Sequence, residues 1–210
     1  MALEPEETIV SQARLRELIP LQDSRNVIEK DMGVLNHLAL AFIALSPFTV
    51  IATKGKDGLI DTSPRGDPAG FVEVYDSTTL ILPDRLGNQR ADTYENILHD
   101  PSVGLIFLIP GQTETLRVAG QGRIVRDAAI SARLAVNGRE PLLVLVVDVK
   151  QVFMHCSKAF VRSALWRPET WAARRTAPSL AEWVKMAVPS KYSVDDLQGL
   201  HDEDAETRLY

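Results

Sequence analysis

Short apolar stretches alternate with turn-forming residues between positions 48 and 149, and this alternation predicts a β-rich fold. The last of these stretches, LLVLVVDV at residues 142–149, is apolar on both faces, which predicts a central strand covered on both sides. The connections are too short to place a helix after nearly every strand, as a doubly wound parallel sheet would require. The pattern favours a mainly β, α+β fold: an antiparallel barrel with peripheral helices. Strands are predicted at residues 48–53, 59–65, 71–75, 79–82, 103–109, 114–125 and 142–149.

Other segments carry apolar residues at three- and four-residue steps, which predicts helices. Residues 195–209 are polar and predict a loosely held tail. We therefore expect a barrel domain at residues 31–172, an N-terminal helical extension at 1–30 and a C-terminal helical tail at 173–210. Helices are predicted at residues 9–20, 31–45, 90–99, 127–136, 158–166 and 179–188, joined at 21–30 by a polar connection. The expected inward-facing residues are Leu35, Leu38, Phe42, Leu45, Tyr94, Ile97, Leu98, Leu180 and Trp183.

Composition excludes several classes of function. The net charge of −5 over 210 residues gives no basic field for a nucleic-acid partner. No apolar run reaches transmembrane length, and the acidic N-terminus lacks a signal-peptide pattern, so we expect a cytoplasmic protein without a membrane partner. The single cysteine, Cys156, is interpreted as a packed small residue. The histidines show no metal-ligand spacing, and no residue is identified as catalytic, so no metal is expected.

An arginine-rich loop between a strand and a helix suggests an anion site. Arg85, Asn88 and Arg90 precede the helix predicted at 90–99, whose first N–H groups are free to bind an anion. Arginine offers a planar fork that matches phosphate, so the loop could grip a phosphate group. The alternative is a solvated basic turn in which Asp84 and Asp92 pair with the arginines.

Two other segments allow two interpretations each. Residues 63–66 could present Ser63 to the edge of a planar heterocycle, or could simply form a rigid strand exit. If residues 158–166 are helical, Lys158, Arg162 and Trp166 share a face, which suits either an anionic planar ligand or ordinary packing on the barrel. The GQG at 120–122 lies inside a strand pattern, so it indicates a bulge or close packing instead of a dinucleotide fingerprint.

Four stretches carry a family resemblance: TSPRGDPAGFV, LILPDRLGNQRADTYENILHDPSVGLIFLIPG, ETLRVAGQGRIV and HCSKAFVRSALW. With them, residues 37–171 resemble the pyridoxamine 5′-phosphate oxidase-related flavoproteins, which have the FMN-binding split-barrel fold. The resemblance implies an FMN-dependent oxidoreductase acting on a small molecule, in a homodimer with the flavin at the interface. A non-catalytic carrier or sensor that binds a flavin or the deazaflavin F420 is the alternative. The acidic tail lacks the basic pattern with which the authentic oxidase holds its substrate.

The resemblance also assigns cofactor-binding residues. Arg65, Asn88 and Arg90 correspond to the family's phosphate grip, and Arg85 is expected near the phosphate or ribityl chain. The flavin ring is expected along two strand segments, one at residues 62–64 and the other ending at Leu82 and Pro83. Gln112, Arg117 and the segment at residues 158–166 are expected to reach the partner's flavin. In full, the expected cofactor-binding residues are Thr62, Ser63, Pro64, Arg65, Leu82, Pro83, Arg85, Asn88, Arg90, Gln112, Arg117, Lys158, Arg162 and Trp166.

Overall fold

The computed structural model of the protein describes residues 5–21, 29–173 and 176–210. The chain divides into two units, residues 1–31 and 32–210. The first unit contains α1 (Gln12–Leu18), which begins after Ser11, whose hydroxyl accepts a hydrogen bond from the Arg14 N–H at 3.2 Å. This confirms the first predicted helix and its cap. Most of the polar connection predicted at 21–30 lies outside the described residues.

The second unit is built on one seven-stranded antiparallel sheet with the order β2-β1-β5-β6-β7-β4-β3. Every strand predicted from the sequence is present, which confirms the mainly β, antiparallel split-barrel fold with peripheral helices. β2 and β3 lie at the two ends of the strand order. The strands are β1 (Phe48–Lys54), β2 (Ile60–Gly66), β3 (Glu73–Asp76), β4 (Thr79–Pro83), β5 (Ser102–Leu108), β6 (Thr115–Val125) and β7 (Val144–His155).

The helices of this unit are short, and a single 3₁₀ turn, Pro168–Thr170, accompanies them in the described part of the chain. Within that part, each helix is too short or too polar to cross a bilayer. The helices are α2 (His37–Leu45), α3 (Asp92–His99), α4 (Ala128–Arg133), α5 (Lys158–Ser163), α6 (Leu180–Ala187) and α7 (Val194–Thr207).

The predicted central strand, β7, is covered on both faces. Leu145 and Val147 point into the main core together with Phe107, which has no exposed surface. The alternate residues Val144 and Val146 lie in a second, smaller cluster on the other face. Side chains at alternating strand positions point to opposite faces, so a run of apolar residues requires two cores. The second cluster contains Ile81, Val144 and Val146, with Val125, Ile130 and Leu134 packed against it.

A β-bulge interrupts the pairing of β6 with β7 at Gly120, as the sequence suggested. Ala119 pairs with Gln151 and Gly120 with Val149, so Lys150 is the extra residue. A Cβ on Gly120 would lie 2.3 Å from the main-chain oxygen of Asp148. Only glycine permits this approach, and the bulge increases the local twist of the two longest strands.

The face predicted for residues 31–45 is right for Leu35, which is buried, and for Phe42, which packs against the core, but wrong for Leu38 and Leu45. α2 begins at His37 because the side-chain oxygen of Asn36 accepts hydrogen bonds from the N–H groups of Leu38 and Ala39. Met32, predicted to be helical, instead forms a β-bridge with Val152. The helix buries Ala39 and Ile43, while Leu38 and Leu45 are exposed.

Three further helix predictions need correction. Trp183 and Leu180 of α6 are exposed, and the small Ala181 is buried in their place. In α3, Leu98 is exposed and Ile97 is buried. The polar tail is the helix α7, whose N-terminus is stabilised by a capping box at Ser193.

Candidate functional site

A cavity of about 990 Å³ lies where β2, the loop after β4 and the start of α3 meet residues 139–143. The main-chain N–H of Asp84 donates to the oxygen of Leu143 at 3.0 Å, which ties the loop to this last segment. Of the expected cofactor-binding residues, those that line the cavity are Thr62, Ser63, Pro64, Arg65, Pro83, Arg85, Asn88 and Arg90. Leu82 does not line the cavity, because strand alternation turns its side chain into the core.

β2 supplies one wall of the cavity through strand alternation. Asp61, Ser63 and Arg65 are half-buried, while Thr62 and Pro64 between them are exposed. β2 pairs only with β1 and is an edge strand, so Pro64 is tolerated although it lacks an N–H donor. Ser63 and Arg65 therefore lie on the half-buried face of β2.

Arg65 reaches from β2 to the opposite wall. Its Nη1 lies 3.8 Å from Oδ1 of Asp84, and its guanidinium lies 5.8 Å from the centre of the Tyr94 ring. Burial raises the pKa of Tyr94 above its ordinary value of 10.0, and the negative charge and hydrogen bond of Asp84 act in the same direction. Tyr94 therefore stays neutral across the physiological range and links α3 to Asp84.

Arg90 is an exposed cation in the loop just before α3. Its side chain is 71% exposed, and its Nε donates to Oδ2 of Asp92 at 2.7 Å. The main-chain N–H of Arg90 donates to Oδ1 of Asn88 at 3.1 Å, which shapes the turn. α3 starts at Asp92, later than predicted, because Ala91 adopts a left-handed φ of 58°. Asp92 lies in the first turn of α3, where the helix dipole stabilises a negative charge.

Arg85 is held in a different way from the other arginines of the cavity. Its Nε donates to Oδ2 of Asp67 at 2.6 Å and its Nη2 donates to the oxygen of Leu134 at 2.9 Å. The Asp67 side chain has no exposed surface, and Arg85 is 16% exposed. The sequence offered a solvated turn, with Asp84 and Asp92 paired to the arginines of the loop, as the alternative to a phosphate site. Arg90 does pair with Asp92, whereas Asp84 pairs with Arg65 of β2.

Tyr210 also lines the cavity, and sequence reasoning missed it. Its hydroxyl donates to Oδ1 of Asp67 at 2.7 Å, and its ring lies 5.6 Å from the Arg85 guanidinium. This hydrogen bond is the main reason that the pKa of Tyr210 is raised. Arg139 donates to the main-chain oxygen of Tyr210. No local pattern could have linked Tyr210 to a turn 143 positions away.

The residues expected to reach a partner's flavin lie apart from this cavity. Trp166 donates from Nε1 to the main-chain oxygen of Gln112 at 2.6 Å, and its ring stacks on Phe160 with centroids 6.0 Å apart. Arg117 lies over the ring of Phe153 at 5.3 Å. α5 ends at Ser163, before Trp166, so the helical face expected to join Lys158, Arg162 and Trp166 does not form. Arg117 and Arg123 of β6 do not line the cavity either.

Metal chemistry has no visible support in the described ranges. There, the histidine, cysteine and carboxylate side chains form no group of three or more that could hold a metal ion. Cys156 is exposed and free, so the expectation that it is a packed residue is wrong. The polar side chains that line the cavity are arginines, carboxylates, amides and tyrosines, together with the hydroxyl residues Thr62, Ser63 and Thr93.

A family model matches much of the chain. The family model described as pyridoxamine 5′-phosphate oxidase matches residues 35–156, which is more than half of the chain. The matched segment contains both walls of the cavity from β2 to residue 143 and excludes Tyr210. A search of curated proteins found no match.

Solved structures of low identity resemble the chain. HupZ of Group A Streptococcus is 17% identical with a TM-score of 0.48, and the alignment covers 57% of this chain and 92% of HupZ. General stress protein 26 of Bacillus anthracis is 12% identical with a TM-score of 0.43, covering 55% and 89%. An F420 reductase is 18% identical with a TM-score of 0.41, covering 55% and 94%. Likeness at this level carries no functional information.

Proposed function

The chain belongs to the pyridoxamine 5′-phosphate oxidase family, and from this premise we propose that it is an FMN-binding flavoprotein and an FMN-dependent oxidoreductase acting on a small molecule. The supporting observation is that Arg65 of β2 and Asn88 and Arg90 of the loop before α3 line a single cavity. These are the positions that correspond to the family's phosphate grip.

The residues of the cavity fit a flavin mononucleotide. Its volume of about 990 Å³ lies at the upper end of the range of about 300–1,000 Å³ found for ligand pockets. Arginines suit the phosphate, and the half-buried Ser63 suits the polar edge of a planar ring. Phe71 and Leu143 add apolar surface to the same cavity.

The ion pairs of Arg90 and Arg65 make these two residues suited to take up a phosphate. The pair between Arg90 and Asp92 is exposed, and such pairs contribute only about 0–1 kcal/mol. The pair between Arg65 and Asp84 is long, at 3.8 Å. Both guanidiniums can therefore exchange a weak carboxylate contact for a doubly charged phosphate at small cost.

FMN would supply the redox chemistry, accepting a hydride from a donor and passing electrons to an acceptor. The chain's own part is to bind and orient. Arg65, Asn88 and Arg90 would hold the phosphate, and Ser63 would hydrogen-bond the ring edge. Tyr94 would present an uncharged hydroxyl beside Asp84.

The first test is the visible absorption spectrum of the freshly purified protein, with chromatography of any cofactor released by heat. Released FMN is the expected result. Released F420 would move the function to deazaflavin chemistry on the same barrel. A colourless protein that also fails to bind added FMN would overturn the proposal. Turnover would separate an enzyme from a carrier: reduction of bound FMN by NADH or NADPH, followed by reoxidation, is expected.

The phosphate grip is tested by substitution. Arg90→Ala and Arg65→Ala should each raise the Kd for FMN by about tenfold to a hundredfold, because each removes a charge-assisted hydrogen bond. Arg123→Ala is the matched control, since Arg123 is 57% exposed, is 3.7 Å from Asp148 and does not line the cavity. Flavin fluorescence titration measures the Kd. Wild-type affinity in both cavity variants would show that the phosphate binds elsewhere.

We also propose a homodimer in which Gln112, Arg117, Lys158, Arg162 and Trp166 face the partner's flavin. The supporting observation is that Gln112 and Trp166 are held together by a hydrogen bond outside the cavity of their own chain. Light scattering of the purified protein should give a mass near twice 23.2 kDa. A monomer that still binds FMN tightly would contradict this arrangement.

A further inference from the structure

Tyr210 is one of two donors that share the buried carboxylate of Asp67, each binding a different oxygen. Oδ2 of Asp67 accepts from Nε of Arg85 at 2.6 Å, and Oδ1 accepts from the Tyr210 hydroxyl at 2.7 Å. The Asp67 side chain has no exposed surface, so these two donors decide how its charge is satisfied. Arg85 is consequently bound to Asp67 through one nitrogen only.

This division leaves part of Arg85 available. Nε donates to Asp67 and Nη2 to the oxygen of Leu134 at 2.9 Å, whereas Nη1 has no hydrogen bond to another described residue. Arg85 lines the cavity, and its side chain is 16% exposed. A guanidinium N–H without a hydrogen-bond partner, on a side chain that lines a ligand cavity, is a donor for an anionic group.

Removing the Tyr210 hydroxyl should change this orientation. Oδ1 of Asp67 would lose its donor in a buried position, which is unfavourable. The nearest replacement is a second N–H of Arg85, because arginine and carboxylate prefer a bidentate pair. The guanidinium would then turn from Leu134 towards Asp67, and Nη1 would move with it.

We propose that Tyr210 is a positioning residue for anion recognition: by occupying Oδ1 of Asp67, it holds Arg85 so that Nη1 serves the phosphate of the bound ligand. This assignment rests on the proposed flavin mononucleotide site and adds to it a residue outside the segment that matches the family. The ring of Tyr210, 5.6 Å from the guanidinium, supports the same orientation from the cavity side.

The test compares FMN with riboflavin, which lacks the phosphate. Tyr210→Phe keeps the ring and removes only the hydroxyl, so the fold should be retained, as near-UV circular dichroism would check. We expect the Kd for FMN to rise about threefold to tenfold, the size of one lost hydrogen bond, and the Kd for riboflavin to stay unchanged. Tyr192→Phe is the matched control, because Tyr192 is exposed and lies outside the cavity.

Each other outcome overturns the assignment in a recognisable way. An equal rise in the Kd for FMN and for riboflavin would show that Tyr210 contacts the ligand or shapes the cavity without serving the phosphate. Unchanged affinity for FMN would remove Tyr210 from recognition while the flavin proposal stands. A wild-type protein that binds neither flavin would overturn the flavin proposal and this assignment together.

Discussion

Arg85 and Arg90 lie five positions apart in one loop and line one cavity, yet the fold treats them differently. Arg85 is 16% exposed and is bound to a fully buried carboxylate and a main-chain oxygen. Arg90 is 71% exposed and is bound only to a neighbouring carboxylate on the surface. The residue type and the loop are the same, so the difference comes from where the fold places each side chain and which partners it meets there.

The comparison teaches which arginine can respond to a ligand. An exposed ion pair is screened by water and is exchanged cheaply, whereas a buried pair is costly to break because a desolvated charge would be left uncompensated. We therefore assign Arg90 to ligand capture and Arg85 to a fixed framework from which one nitrogen can serve the ligand. Arg65, with a half-buried pair of 3.8 Å, lies between them.

The largest difference is expected in stability. Arg85→Ala would remove the charged donor of the Asp67 carboxylate and the hydrogen bond to the Leu134 oxygen, so the free energy of unfolding should fall by about 1.5–3 kcal/mol. Arg90→Ala should change it by less than about 0.5 kcal/mol, because that pair is exposed. Urea denaturation of the three proteins measures both values. Similar losses for the two variants would show that the two sites are energetically alike, against the comparison.

A smaller effect, on the affinity for FMN, is expected when residue 90 keeps its positive charge and loses the planar guanidinium group. Arg90→Lys should raise the Kd for FMN by about threefold to tenfold, less than Arg90→Ala, because lysine supplies a point charge without the planar fork. Fluorescence titration of both variants under one salt concentration checks the order. An affinity as weak as that of Arg90→Ala would mean that the fork, and not the charge, carries the contact.

The smallest effect concerns Tyr94 beside the half-buried pair. Its pKa is raised above 10.0 in the folded protein, so the unfolded chain loses this proton first as the pH rises. The contribution of Tyr94 to stability is thus complete below about pH 10 and is lost above it. Tyr94→Phe should make the fall in unfolding free energy between pH 9 and 11 less steep, as urea titrations at each pH would measure. Equal slopes for wild type and variant would contradict the shift.

Local patterns were sufficient for the sheet. Strand positions followed from short β-branched and apolar runs, and the double-sided character of LLVLVVDV correctly predicted two cores around β7. The bulge at Gly120 was also visible locally, because glycine inside a strand pattern marks a close backbone approach. The same strands brought most of the residues expected at the site to one cavity.

Helix faces were harder, because each short helix offers more than one apolar stripe and packing chooses between them. α2 buries Ala39 and Ile43 in place of the expected leucines at 38 and 45. α6 buries the small Ala181 in place of Leu180 and Trp183. A helix that packs closely on a sheet can bury a small residue and leave a larger neighbour exposed. Amphipathic periodicity cannot distinguish these cases without the partner surface.

The antiparallel sheet and the arginine-rich loop follow from the sequence alone, because each depends on neighbouring residues. Only the tertiary structure decided which arginine is buried, that Asp67 is its partner, and that Tyr210 completes the pair across 143 positions. The physical reason is that the cost of burying a charge depends on every group surrounding it in space. Those groups come from the turn after β2, the loop after β4 and Tyr210, and only folding brings them together.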